Sequence, residues 1–255
     1  MDAKARPEWP NGAECAVSLT FDDGMKSHLD CAIPLMNRLG LRGTFYLNTP
    51  GDSWRERLEP WKAAVQAGHE AGNHTCSHYC GRGALGRDFG LENISLEQLA
   101  RDILECERRL GEVLGACARS FCYPCYDHHV GEGAERQSYV PWVAKHFGCG
   151  RGKFNGTHHL NHPAVCDLAH VGSHACERMG GHEMLGLCAR AADQGAWTVL
   201  TFHGILEGHV SVNEVDFREL CEHLARHPKR YWVAPVVEVA AFVRAWRAQT
   251  VHSQS

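Results

Sequence analysis

The sequence has no surplus of positive charge. Its 26 Lys and Arg stand against 30 Asp and Glu, for a net charge of −4 with histidines neutral and a pI of about 6.5. Nothing here would gather nucleic acid or an anionic membrane surface, and a neutral or weakly polar ligand is the easier expectation. Long apolar runs are also missing, so no segment reads as a membrane-spanning helix. The first ten residues, Met1 to Pro10, carry charges with no apolar stretch behind them. A secretory leader is therefore not expected, and the default location is the cytoplasm. Repeats, low-complexity tracts and linkers are absent too. Residues 1–255 are expected to form one domain, a length at which α/β barrels run as single units.

Cysteine is plentiful: thirteen residues, an odd number, scattered through a chain that is 44% hydrophobic and large enough to need no staples. That pattern fits reduced thiols better than a disulfide framework. Cys122-Tyr123-Pro124-Cys125 has C-x-x-C spacing, but it ends a predicted strand with no helix directly after it, so it reads as chance spacing rather than a redox motif.

Apolar runs alternate with helical periodicity along the chain. Strands are predicted at Ala16–Phe21, Gly43–Leu47, His69–Asn73, Ser120–Tyr123, Cys149–Phe154, Trp197–Phe202 and Tyr231–Ala234. Between them, helices are predicted at Leu29–Leu39, Trp61–Ala67, from the capping box at Ser95 through Leu110, and at Tyr139–Phe147, Glu183–Ala192, Val215–Ala225 and Val236–Ala248. Residues 155–181, rich in His, Gly and Asn, read as a long loop with room for one short strand, and residues 250–255 as a frayed end. About seven strand–helix units imply parallel strands with crossover helices, whose C-terminal ends meet at one mouth if they close into a barrel.

The chemistry sits at those ends. Asp22-Asp23-Gly24 follows the first strand, and His74 and His78 follow the third. Four-residue spacing would put the two imidazoles on one face of a helical turn, and with Asp23 they make a borderline N,N,O site for a divalent ion. Such an ion would acidify a water at neutral pH. Asp22 points the other way along an extended segment and is placed to act as general base, while His203, at the end of the Val199–Phe202 run, can donate a proton. Taken singly, each has a plainer explanation: a polar turn at Asp22-Asp23-Gly24, solvated loop histidines among the 18 in the chain, a rim histidine at 203. Cys76 and Cys80 interleave with the histidine pair, but turn geometry aims Cys76 away from the shared face. His128, His129, His158, His159, His162, His170, His174 and His182 fall in predicted loops and are not taken as ligands.

These residues resemble the polysaccharide deacetylases of the NodB-homology type, carbohydrate esterase family 4. The resemblance rests on Thr20-Phe21-Asp22-Asp23-Gly24, the H-[ST]-x-x-H element at His74 to His78, the F-x-Y-P element at Phe121 to Pro124 and the L-x-x-H element at Leu200 to His203, in that order. It implies a distorted (β/α)7 barrel that hydrolyses N- or O-acetyl groups from a sugar or oligosaccharide. It implies one divalent metal ion, zinc first with cobalt or nickel as alternatives, held by Asp23, His74 and His78. Asp22 then matches the catalytic base and His203 the acid. Tyr123 and Cys125 fall at oxyanion- or substrate-binding positions, with the main-chain N–H after Pro124 helping to hold the oxyanion.

The family arginine that orients the base is replaced by Cys122, and Arg151 on the fifth predicted strand could supply the charge from another side. The acidic–tryptophan element near the acid histidine has no recognisable counterpart. Without a leader, a soluble oligosaccharide or small sugar is a more accessible substrate than a wall polymer, and a homo-oligomer is left open. Two alternatives remain: ring-opening hydrolysis of a cyclic amide or imide on the same barrel, and carbohydrate binding without turnover. Trp54, Trp61, Tyr126 and Trp142 could form sugar-stacking platforms, although core packing explains tryptophans equally well.

Overall fold

In the computed structural model, residues 6–154, 156 and 159–252 are described; the first five residues, His158 and the tail from residue 253 lie outside them. The first strand, β1 (Cys15–Asp22), is buried along its whole length. Cys15, Val17, Leu19 and Phe21 pack into the core beneath the helices, while Ser18 and Thr20 hydrogen bond to Ala234 O (2.8 Å) and Leu200 O (3.0 Å). Strict alternation thus gives the strand one apolar and one polar face, and Asp22 continues the polar one.

Around β1 run β2 (Thr44–Leu47), β3 (Glu70–Asn73), β4 (Phe121–Cys122), β5 (Gly150–Arg151), β6 (His174–Ala175) and β7 (Trp197–Phe202), all parallel. A parallel bridge between Arg151 and Val171 joins β5 to the segment that becomes β6. Gly152 N donates to Val171 O and Phe154 N to Ser173 O along the same seam. Seven strand positions therefore close into a ring, the distorted (β/α)7 barrel expected. β8 (Tyr231–Val233) lies outside that count and pairs with β1 at Cys15–Val17, below the point where β2 takes over at Thr20.

The helices are α1 (Ile33–Arg38), continuing a π-turn at His28–Ala32, α2 (Trp54–Leu58), α3 (Trp61–Gln66), α4 (Leu96–Leu114), α5 (Val140–His146), α6 (Gly181–Gln194), α7 (Glu214–Arg226) and α8 (Val236–His252). The capping box opens α4, with Gln98 N donating to Ser95 Oγ and Ser95 N to Gln98 Oε1. Leu99, Ile103, Cys106 and Leu110 form its buried stripe. Between sheet and helices Phe21 stacks on Phe45 (4.6 Å) and Phe202 (5.3 Å), with Phe217 of α7 edge-on. Burying each such ring stabilises the fold by about 1.5–3 kcal/mol. The short α2 has no counterpart among the predicted helices.

At the floor of the barrel, where the strands begin, Glu70 is buried and accepts four hydrogen bonds: from Thr44 Oγ1, Ser120 N, Ser120 Oγ and Val237 N. Ser120 also meets the Tyr46 hydroxyl at 2.8 Å. The Tyr46 ring fills the space beside Gly72, where a Cβ would lie 2.4 Å from its Cδ1, so only glycine fits there.

Candidate active site

The β1–β7 register runs from Ala16 beside Trp197 to Phe21 beside Phe202. One step further, it sets Asp22 beside His203. Asp22 is buried, whereas Asp23 turns outward: its φ of 73° is left-handed, a conformation Asp tolerates better than most residues, and its side chain is 35% exposed. Adjacent carboxylates therefore serve opposite walls of one site.

His74 and His78 do not share a helical turn. They lie in a loop after β3 in which Thr75 (φ 64°) and His78 (φ 48°) are both left-handed. Asn73 Oδ1 accepts from Thr75 N, Thr75 Oγ1 from His78 N, and Asp102 on α4 from Cys76 N and Ser77 N. That scaffold still brings the rings together, with Nε2 atoms 3.2 Å apart. His74 Nδ1 donates to Cys122 O, which orients the ring with Nε2 facing the cluster. Burial and the neighbouring His74 pull His78 down to about 4, so its ring is neutral near pH 7.

Asp23 Oδ1 lies 3.5 Å from His74 Nε2 and 3.4 Å from His78 Nε2. A tetrahedral ion about 2.0–2.1 Å from each donor would separate ligand atoms by about 3.3–3.4 Å, so the residues present fit a zinc-type ion. Burial alone would push the Asp23 carboxyl up, but the hydrogen bond and charge of His74, with His78, hold it well below the usual carboxylate range. Two other donor groupings fit less well. Asp22, His74 and Cys122 also converge, but the Arg151 cation sits on that group. His78, Cys80 and Cys125 converge too, but the two sulfurs are bonded to each other.

Arg151 is fully buried and pairs through Nη2 with Asp22 Oδ1. It comes from the strand beside Cys122, its partner in register, and its Nη2 is 2.7 Å from Cys122 Sγ. The guanidinium is flanked by the rings of Tyr46 (5.1 Å) and Tyr126 (5.3 Å), and its Nε and Nη1 have no hydrogen-bond partner. Burial pushes the Asp22 carboxyl up, but Arg151, His74 and His203 outweigh it and keep the group below its ordinary value. Burial likewise raises the Cys122 thiol, which stays protonated. His203 Nε2 stands 3.9 Å from Asp22 Oδ2, and its buried Nδ1 has no partner.

Tyr123 is not presented to this cleft: it is buried and its hydroxyl donates to Ala169 O at 2.6 Å. Cys125 is exposed, left-handed at φ 51°, and disulfide-bonded to Cys80. The expectation of thiols alone is thus corrected at one pair, the other eleven cysteines being free. The bond ties the loop after β3 to the loop after β4, with Cys80 Sγ 3.6 Å from His78 Nδ1. Trp54 and Trp61 are buried core residues rather than platforms, and Trp142 stacks on His146.

Sequence reasoning missed several supports. His28 Nδ1 accepts from Met25 N, so its Nε2–H donates to His203 O and joins the segment after β1 to the end of β7. Asn48 donates to Asp23. Asn73 was findable, since an Asn side chain commonly accepts from the backbone N–H two residues on, here that of Thr75; Asp102, 26 residues from the Cys76 N–H it accepts from, had no local signal.

A search of the solved structures finds the same fold elsewhere. A Mycobacterium smegmatis protein described as a polysaccharide deacetylase matches with a TM-score of 0.67 at 20% identity, over 95% of this chain and 94% of that one. A Pseudomonas aeruginosa PAO1 protein of like description matches at 0.62 and 13%, over 93% of each chain. A mutant of BA3943, a carbohydrate esterase family 4 pseudoenzyme, matches at 0.55 and 16%, over 91% of this chain and 68% of that one, so the fold occurs without turnover. Comparison with curated proteins returns no match. The sequence profile of the polysaccharide deacetylases, however, covers residues 10–137, half of the chain and all of Asp22, Asp23, His74, His78 and Cys122. By that match, and with the barrel to house it, this chain belongs to the polysaccharide deacetylase family.

Proposed function

We propose that this chain is a metal-dependent hydrolase that removes acetyl groups from an N- or O-acetylated carbohydrate. The observation that carries it is the pairing, in one mouth, of the Asp23–His74–His78 cluster with an Asp22 held ionised by Arg151 and facing His203. A pseudoenzyme needs no such proton-transfer pair. A divalent ion on the cluster, zinc first with cobalt or nickel as alternatives, would supply Lewis-acid polarisation of the acyl carbonyl and an acidified water.

The chain's own groups do the rest. Arg151 occupies Asp22 Oδ1 and leaves Oδ2 to take the proton of the attacking water. The 3.9 Å gap between Oδ2 and His203 Nε2 is too long for a hydrogen bond and suits a reacting atom between them. His203 Nε2 then gives a proton to the leaving nitrogen or oxygen, its backbone held by His28. The turn at Pro124–Tyr126 offers the Cys125 N–H to the tetrahedral oxyanion.

The test is acetate release from a panel of N- and O-acetylated sugars by metal-stripped protein, with and without added Zn²⁺ or Co²⁺, beside His203→Ala. Metal-dependent acetate that is lost in the variant supports the proposal. No acetate from metal-loaded protein would shift the function to ring-opening amide hydrolysis or to binding alone.

A further inference from the structure

The disulfide between Cys80 and Cys125 lies against the Asp23–His74–His78 cluster, and the ring of His78 belongs to both groupings. Its Nε2 faces Asp23 Oδ1 at 3.4 Å, while its Nδ1 faces Cys80 Sγ at 3.6 Å. Cys80 is buried in the loop after β3 and Cys125 is exposed in the turn after β4, so the bond is open to a reductant from one side. The Asp22–His74–Cys122 grouping is closed to an ion by the Arg151 guanidinium. His78, Cys80 and Cys125 carry no such cation, and what keeps an ion from them is the bond between the two sulfurs.

A two-electron reduction removes that obstacle. A dithiol reductant forms its own disulfide and passes its two hydrogens to the two sulfurs, so the S–S bond breaks and two thiols are left. Two thiolates and an imidazole make a soft S,S,N set that selects Zn²⁺ over Mg²⁺ or Ca²⁺, and binding releases the two thiol protons. Metal–sulfur bonds of about 2.3 Å and metal–nitrogen bonds of about 2.0–2.1 Å in a tetrahedral site separate nitrogen from sulfur by about 3.6 Å. That is the spacing between His78 Nδ1 and Cys80 Sγ. The exposed side of Cys125 leaves the fourth position to water. A neutral imidazole has one nitrogen lone pair to give, because its other nitrogen carries the proton. An ion on His78 Nδ1 therefore makes Nε2 an N–H donor and withdraws it from the N,N,O cluster, which is left with Asp23 and His74.

We propose that reduction of the Cys80–Cys125 bond creates a second site for a soft divalent ion, formed by Cys80 Sγ, Cys125 Sγ and His78 Nδ1, which captures the ion that the oxidised chain holds at Asp23, His74 and His78. The transfer rests on the metal cluster described above and on no particular substrate. The test adds Co²⁺ to metal-free protein, either with the disulfide intact or reduced by a water-soluble phosphine and desalted without air. It uses the parent, Asp23→Asn and the double variant Cys80→Ser/Cys125→Ser. In denaturant the parent should show eleven thiols before reduction and thirteen after. The oxidised parent should bind one Co²⁺ per chain without a thiolate-to-cobalt charge-transfer band in the near ultraviolet. The reduced parent should also bind one, now with that band. The double variant should bind one without the band under both conditions. Asp23→Asn should lose the ion when oxidised and hold it, with the band, when reduced. A reduced parent without the band, or a band that persists in the double variant, would overturn the site and leave the disulfide as a staple. Two ions per chain in the reduced parent would overturn the capture. An oxidised parent that binds no Co²⁺, with the band still appearing on reduction, would support the S,S,N site and remove the cluster on which the proposed function rests.

Discussion

Two buried carboxylates sit at opposite ends of the barrel and are treated in opposite ways. Glu70, at the floor, accepts four hydrogen bonds from three segments. Asp22, at the mouth, is held by Arg151 alone among strong donors, and the groups around it, Arg151 Nε and Nη1 and His203 Nδ1, lack partners. Complete satisfaction marks a group that holds strands together; incomplete satisfaction, where burial makes it costly, marks one waiting for something else. The two are physically linked, since Glu70 binds Ser120, Ser120 binds Tyr46, and the Tyr46 ring lies against Arg151.

That contrast can be broken most decisively at Asp22. Asp22→Asn keeps an oxygen for Arg151 but loses the base, and turnover of an acetylated sugar should fall by about 10²–10⁴-fold while metal content and circular dichroism stay as in the parent. A folded, metal-loaded variant with near-parent rates would end the distinction between mouth and floor.

Arg151→Ala should cost about 10–100-fold in rate, as loss of an orienting partner does. Because Cys122 and Arg151 are partners in register, Cys122→Arg combined with Arg151→Cys should recover at least part of that rate. If Arg151→Ala leaves the rate of a confirmed activity unchanged, the guanidinium is merely structural.

Glu70→Ala should do the reverse. Stripped of their acceptor, Ser120 N is left buried and Val237 N half-buried, and stability should fall by about 2–4 kcal/mol in urea titrations, with KM and kcat of the folded fraction little changed. A large loss of kcat at full folding would show that the chain through Ser120 and Tyr46 reaches the catalytic groups.

The smallest effect lies at another floor residue, His69, whose Nδ1 accepts from Gly43 N and whose Nε2 meets Asn37 Oδ1. Burial, with Arg42 nearby, lowers it to about 4 from its ordinary 6.5. The folded state thus binds fewer protons than the unfolded chain between those values, so its stabilisation is complete above about pH 6.5 and is lost as pH falls toward 4. The thermal midpoint should drop less between pH 7 and 5 in His69→Gln than in the parent; equal drops would mean that other groups carry the slope.

Much of the mouth was legible from residues that sit on strand ends, because strand periodicity fixes which way Asp22, Cys122, Arg151 and His203 point. The Asp23–His74–His78 cluster was legible in its members but not in its shape. His74 and His78 share a face through left-handed turns at Thr75 and His78 and through Asp102 on a distant helix, and spacing alone carries no record of either. The tryptophans were left open between platform and core, and Tyr123 was set at the binding site, for a related reason: sequence does not record whether a tyrosine hydroxyl meets a ligand or Ala169 O. The Cys80–Cys125 pairing joined segments 45 residues apart, beyond the reach of local pattern.

That bond has a consequence for handling as much as for shape. It encloses the whole of α4 in a covalent ring and pins the loop bearing His78 to the turn bearing the Cys125 N–H. A sample kept under dithiothreitol and one kept in air are then different molecules at the mouth of the barrel, and a zinc affinity or rate measured on one is not a value for the other.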